Sequence, residues 1–350
     1  MEQFLWQFPY LKHLEIKAHG WKNLFDGYQW QKLTNFFTTF NFKFDTEDIL
    51  MDNILDSFST PYWLEEKHWF IGYKNGCLFS IPHFAPDHID ISWQTSLRST
   101  ALNHTVIYDR LNKITIKTDV IDSNYYFTHI KELILECSIS VQILTSTMDL
   151  NQIKHLSVLS IDDILKLIPL ESNMPQLCEL SIKNDVTSDM IERIRLYRFS
   201  QIHKLEIGIF TKYSDYITEE LFRLFAFVQH LIYKSPIESI QTMICFIDGF
   251  KHLSNASFFC DDVFFDTEAS FCQDPNSIIE YSKRLTKDNF TCRIYRSTKY
   301  GLSSYGIYWW IEDQPSSSIV NMYWLPQQRY HWYRFKYFFL FMLHKSFCFN

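Results

Sequence analysis

The sequence predicts an α/β solenoid, with parallel strands on one face and helices on the other. Three observations predict it. First, a short extended segment, apolar-x-x-apolar-x-apolar, recurs between Leu111 and Phe258. Its copies run Leu111-Ile114-Ile116, Ile130-Leu133-Leu135, Ile153-Leu156-Val158, Leu177-Leu180-Ile182, Ile202-Leu205-Ile207, Val228-Leu231-Tyr233 and Leu253-Ala256-Phe258. Second, their middle residues are separated by steps of 19, 23, 24, 25, 26 and 25 residues. Third, helical stripes lie between the copies. Ile161-Ile164-Leu165-Ile168 and Ile217-Leu221-Leu224-Phe225 carry the spacing of amphipathic helices. With 47% of residues apolar, a single match to the segment has no weight, so the regular spacing carries the inference. Strand-helix alternation alone also fits a doubly wound sheet; the fixed period favours the solenoid.

This half-motif, at a period of roughly 20–29 residues, is the signature of leucine-rich repeats. The expected fold class is therefore an irregular α/β leucine-rich-repeat solenoid, a horseshoe with its parallel sheet on the concave face and helices on the convex face. The array is expected to run over 1–313. Leu11-Leu14-Ile16 and Phe37-Phe40-Phe42 fit the segment with a step of 26. No capping element precedes Leu11, which leads us to expect further structure upstream. Asp45 to Phe58 reads as a helix, with Ile49, Leu50, Ile54 and Leu55 on one face. A hairpin-like insert over about 68–82 follows, because Asn75-Gly76 between two β-rich runs is a strong turn signal. Ile89-Asp90-Ile91 supplies one more strand, 25 residues before Ile114. Ser235-Pro236-Ile237-Glu238 reads as a capping box that opens a helix stopped by Gly249. A C-terminal cap is expected over about 274–313, with a helix from Asp274-Pro275 and two alternating strands, Phe290-Cys292-Ile294 and Ile307-Trp309-Ile311.

Residues 314–350 differ in composition. They hold no Asp or Glu, and twelve of the last thirty residues are aromatic. This basic aromatic tail lacks a clean period and reads as a segment outside the evolved domain; the functional reading is an anchor for lipid or nucleic acid.

A formal charge of −7 gives no whole-chain argument for nucleic acid. Only eight glycines occur, and neither dinucleotide-binding nor P-loop spacing is found. The eight cysteines are scattered, with no pair in C-x-x-C spacing, and read as reduced core thiols. No leader-like N-terminus and no run of 18 apolar residues is present, which points to the cytoplasm or nucleus and to no membrane span. No nucleophile elbow or zinc motif occurs. His68 and His83, which flank the hairpin with Cys77, are the weak case for a hydrolase. The expectation is no enzyme, no cofactor and no metal.

Candidate binding residues come from the strand positions between and just after the apolar ones. The place after the third apolar residue holds Lys17, Lys43, Lys117, Glu136, Leu159, Lys183, Gly208, Lys234 and Phe259. Lys113, His155, Lys204 and His230 are neighbours. Stacked one per repeat, Lys17, Lys43, Lys113, Lys117, His155, Lys183, Lys204, His230 and Lys234 would form a stripe biased toward positive charge. Such a stripe suits a protein partner with an acidic or phosphorylated peptide. A solvated sheet face rich in lysine is the plainer reading.

The segments LKHLEIK, IKHLSVLS, LCELSIK and IHKLEIG, with helices between them, resemble the leucine-rich-repeat region of F-box proteins. The stretches PYWLEEKHWFIGY and YGIYWWIED resemble landmarks of the same group. The resemblance covers about 1–313. It implies the substrate-recognition arm of a cullin-RING ubiquitin ligase, with the ligase adaptor as a second partner if an F-box lies upstream. The F-box itself has no match in this chain. The family's asparagine after each strand is also missing; its place holds Asp119, Ser138, Ile161, Asp185, Phe210, Pro236 and Asp261. The alternative is a stand-alone repeat scaffold with no role in ubiquitination.

Overall fold

A computed structural model describes residues 10–20, 22–45, 54–74, 76–91, 98–101, 108–118, 126–168, 170–184, 186–208, 215–237, 239–260, 275–286, 290–299 and 302–311. The tail, most of the helix expected over Asp45 to Phe58, and Asn75 of the hairpin turn lie outside them. Within the described part of that helix, Asp56–Phe58 forms a single 3-10 turn.

The chain is mixed α/β, built on a mixed five-stranded sheet and a second sheet rich in parallel strands, and neither closes into a barrel among the described residues. In chain order its first strands are β1 (His13–His19), β2 (Thr39–Asp45), β3 (Phe70–Lys74), β4 (Cys77–Ile81), β5 (His88–Ile91) and β6 (Arg98–Ser99). The first sheet has the order β1-β2-β4-β3-β6. β1 and β2 are parallel, with Leu14 opposite Phe40 and Ile16 opposite Phe42. β2 then pairs antiparallel with β4, and β4 with β3. The hairpin interrupts the parallel pairing here, because β4 takes the edge of β2 that a further parallel strand would have used. Gly76 takes a positive φ of 75° in the turn between β3 and β4, a conformation that costs glycine little.

The second sheet begins with β5. It continues through β7 (Lys113–Ile116), β8 (Glu132–Leu135), β9 (His155–Val158), β10 (Glu179–Ile182), β11 (Lys204–Ile207), β12 (His230–Pro236) and β13 (Asn255–Cys260), all parallel and in sequence order. The hairpin of β14 (Phe290–Lys299) and β15 (Leu302–Ile311) closes it, with β15 antiparallel to β13. The register aligns the middle apolar residue of every repeat: Ile89, Ile114, Leu133, Leu156, Leu180, Leu205, Leu231 and Ala256 stand side by side. A slip of one residue would turn this row to solvent, so burial itself enforces the register.

Two backbone devices repeat with the strands. At all eight parallel junctions, the carbonyl of the residue before one strand accepts two N–H groups from the start of the next. Lys154 O, for example, takes Cys178 N and Glu179 N at 3.0 Å each, and Cys178 O takes His203 N and Lys204 N at 2.9 and 3.0 Å. In six of the segments the first apolar residue also closes a turn onto an apolar residue three places earlier: Leu111 on Tyr108, Ile153 on Leu150, Leu177 on Met174, Ile202 on Phe199, Val228 on Phe225 and Leu253 on Phe250. Satisfying backbone groups in this way lets each turn pack on the next without an orphaned donor.

Helices return the chain between strands: α1 (Gly27–Thr34), α2 (Val141–Thr147), α3 (Ile161–Leu165), α4 (Leu170–Asn173), α5 (Ser188–Ile194), α6 (Asp215–Leu224) and α7 (Ile240–Gly249). The apolar stripes of α3, α6 and α7 are buried with the strands in one core that includes Ile161, Ile164, Leu221, Leu224 and Phe246, while Trp30 of α1 belongs to a second core with the first sheet. Two local expectations need correction. The cap of α7 is Ser239, whose hydroxyl accepts from Thr242 N. Ser235 and Pro236 instead prolong β12 across an irregularity in its pairing with β13. Residues Pro275–Glu280 form a 3-10 helix. Gly249 does end α7, for a packing reason: a Cβ there would come within 2.0 Å of the Phe222 ring.

Ser138, just after β8, bonds across to α3. Its hydroxyl donates to Asp163 Oδ1 at 2.7 Å, while Asp163 Oδ2 accepts from Ser160 N and Ser160 Oγ at 3.1 Å. One buried carboxylate thus caps α3 and ties it to the preceding repeat.

Candidate binding surface

Along each strand of the second sheet, alternate residues turn away from the core. Register sorts these outward residues into rows across the strands. The first row runs His88, Lys113, Glu132, His155, Glu179, Lys204, His230 and Asn255. The second begins Asp90, Thr115, Ile134, Ser157, Ser181, Glu206, Ile232 and Ser257, and continues into Tyr308 on β15. Just beyond the strands lie Lys117, Glu136, Leu159, Lys183 and Gly208, and Lys234 holds the same place within the longer β12.

Seven of the nine predicted residues, Lys113, Lys117, His155, Lys183, Lys204, His230 and Lys234, therefore share one face. Lys17 and Lys43 do not join them; they are opposite each other in the first sheet. Lys17 approaches Glu15 at 3.7 Å and lies 4.9 Å from the centre of the Phe84 ring.

The five lysines of the second sheet each meet a different carboxylate. Lys113 reaches Glu132 at 2.6 Å, Lys117 reaches Asp90 at 3.0 Å, and Lys204 reaches Glu179 at 2.7 Å. Lys183 spans β9 to Glu136 at 3.3 Å, and Lys234 pairs with Glu206. Five positive and five negative side chains are interspersed across the face. The excess of positive charge expected from the lysines alone disappears once these carboxylates are counted. Half-exposed pairs of this kind contribute little stability each, of the order of 0–1 kcal/mol. They define a pattern of sign.

The histidines sit within the pattern. His155 Nδ1 is 3.5 Å from Glu132 Oε1, and its Nε2 hydrogen-bonds Ser181 Oγ at 3.1 Å. Burial pushes its imidazole below the usual histidine range, against the pull of Glu132 and Glu179. His230 is lowered first by burial and then by the charge of Lys204, and its Nδ1 is 2.7 Å from Asn255 Nδ2. Burial works to raise the Asp90 carboxyl, but the hydrogen bond and charge of Lys117 outweigh it, and Asp90 lies below its ordinary value.

The apolar members of the face are not among the predicted binding residues, although Leu159 and Phe259 stand in the same row of places as the lysines. Ile134, Leu159, Ile232 and Phe259 are half-buried on it. Tyr308 is 37% exposed, with its ring against Gly306. The period-two alternation of each strand was the available signal, because it puts these residues on the lysine side.

The hairpin residues do not gather into a reactive site. His68 Nδ1 hydrogen-bonds the Leu64 carbonyl at 3.1 Å, and His83 Nε2 hydrogen-bonds Glu15 at 3.0 Å. Burial and the neighbouring Asp45 push the Cys77 thiol up to about 12, so it keeps its proton at neutral pH. Among the described residues there is no group of three or more His, Cys, Asp or Glu placed to hold a metal ion. No helix among them is long and apolar enough to cross a membrane. A scan against models of known protein families finds no match to this chain, and a search of curated proteins finds no similar sequence.

Proposed function

We propose that the chain is an irregular leucine-rich-repeat solenoid that binds another protein through the outward face of β7–β13. In this reading the strands line the concave side and the helices the convex side. The bound protein is a substrate presented for ubiquitin ligation in the cytoplasm or nucleus, as the resemblance to F-box proteins suggests. The observation that carries the reading is the register. Eight strands in sequence order align their apolar residues on one side, and on the other hold an ion-paired face of mixed sign with half-buried aliphatic members and the exposed ring of Tyr308. A parallel sheet normally buries both faces under helices. A parallel run with one charged face offers that face to a partner. Because the charges balance, recognition there depends on the order of signs rather than on an acidic ligand as such.

The test is quantitative affinity purification of the full chain and of its Lys117→Glu/Lys183→Glu variant from cells. At least one co-purifying protein is expected to fall about tenfold with the variant, while thermal unfolding of the two proteins stays similar. Failure to deplete any protein would remove the face as the binding site. Absence of a ubiquitin ligase adaptor from both samples would leave the stand-alone scaffold as the reading.

A further inference from the structure

The edge strand β1 is chemically self-complementary. Its sequence is His13-Leu14-Glu15-Ile16-Lys17-Ala18-His19. Read outward from Ile16, the two halves match by type, except that an acid on one side answers a base on the other. We propose that β1 pairs antiparallel with β1 of a second copy of this chain, about a two-fold axis through Ile16.

Three observations support this pairing. β1 ends the first sheet, with β2 as its only strand neighbour among the described residues. Its apolar side chains are also incompletely covered. Leu14, Ile16 and Ala18 are only partly buried, whereas their register partners Phe40, Phe42 and Phe44 are 0–1% exposed. Finally, the hydrogen-bonding phase is right. Thr39 N donates to Lys12 O and Gly20 N to Asp45 O, so the even-numbered residues of this strand turn their backbone groups toward β2. Alternate residues of a strand address opposite neighbours. His13, Glu15, Lys17 and His19 thus address the outer edge.

An antiparallel partner centred on Ile16 sets Glu15 opposite Lys17 of the other copy, and Lys17 opposite its Glu15. These odd-numbered residues exchange main-chain hydrogen bonds, and His13 does the same with His19. Ile16 then meets Ile16 as a pair without hydrogen bonds, the closer kind for side chains. Leu14 meets Ala18. The contact is isologous and closes on itself. Charged residues on an edge strand ordinarily repel a neighbouring strand; here their two-fold arrangement turns repulsion into attraction.

Sedimentation of the full chain up to about 100 μM tests the pairing, with Lys17→Glu, Glu15→Lys and the double exchange Glu15→Lys/Lys17→Glu alongside. A concentration-dependent dimer is expected for the parent. Each single reversal should weaken it at least about tenfold by opposing like charges, and the double exchange should restore it. Ile16→Cys supplies an independent readout, because the close pair suits a disulfide. Oxidation of that variant should give a covalent dimer linked through position 16. A monomeric parent, or a dimer indifferent to both reversals with no such cross-link in the oxidised Ile16→Cys variant, would overturn the proposal and leave the edge to another segment or another protein.

Discussion

The two sheets solve the same packing problem with different side chains. At the buried strand positions, β2 places Phe40, Phe42 and Phe44, while β9 to β11 place Leu156, Val158, Leu180, Ile182, Leu205 and Ile207. Around the phenylalanines gather Trp30, Phe58, Tyr62 and Trp63, with Trp69 at the margin. Phe42 and Phe44 stack at 4.5 Å, and Trp30 stacks on Phe44 at 5.3 Å. The strand positions of β9 to β11 need no such rings, because each of these strands has an equivalent strand on both sides; the rings of this core sit in its turns and toward its end, as in Phe199 against Phe225 and Tyr233 against Phe246. Repetition lets the core-facing strand positions of β9 to β11 be filled by Leu, Ile and Val alone. The first sheet has two repeat-like strands and then a hairpin, so its irregular interior takes large rings that reach further. A repeat can be cut short, on this view, if bulk replaces periodicity.

The sharpest break of that contrast is Phe42→Ala. Phe42 is fully buried and touches Phe40, Phe44 and Phe58. Its truncation should cost roughly 3–5 kcal/mol. Because the aromatic and aliphatic cores are separate clusters, hydrogen exchange should rise across β1–β4 and stay slow across β9–β12. Equal loss of protection in both sheets would mean that the cores unfold as one.

The complementary change is Leu205→Phe, which imposes the first sheet's solution on the second. Leu205 is fully buried between the matching Leu180 and Leu231. A ring there should overpack the row and cost about 1–3 kcal/mol, read as a shift in denaturant midpoint without a change in slope. A neutral outcome would show that the aliphatic core tolerates aromatic bulk, and that the division between the sheets is not set by packing.

How much of this was written in the chain differs by level. The strands of the second sheet were readable because one three-position pattern recurs in phase with helices; a single copy would have been lost in a sequence so rich in apolar residues. The turn residues Leu150, Met174, Phe199, Phe225 and Phe250 also repeat, three places before each segment, and their varied size hid them. The end of the array was not readable. Nothing local says that β2 pairs with β4 rather than with β5, because that choice depends on which strand reaches the edge first. Ser235-Pro236 has the composition of a helix start, yet the ladder with β13 keeps it extended and passes the cap to Ser239. On the binding face, lysine was visible one strand at a time. Its neutralisation was not, because Glu132, Glu136 and Glu179 hold on neighbouring strands the same places that lysine holds elsewhere, Glu206 holds another, and all of them meet the lysines only through register.

The smallest expected effect concerns pH and again separates the sheets. His155 has its folded pKa lowered by burial, below an ordinary value of 6.5. The unfolded chain therefore binds a proton more readily than the folded one as pH falls. Above pH 6.5 the group is neutral in both states and adds no pH dependence. Below it, the folded state progressively loses stability until His155 itself is protonated. His230 acts in the same direction. Both residues lie in the second sheet, so acidification from pH 7 toward 5 should loosen β9–β12 beyond the change that carboxylates alone produce. His155→Gln keeps a polar group beside Ser181 and removes the titration. It should flatten the stability-against-pH curve just below 6.5, as read by chemical denaturation at a series of pH values, and leave stability above pH 7 nearly unchanged. A variant with the parent's slope would place the acid sensitivity elsewhere on the molecule.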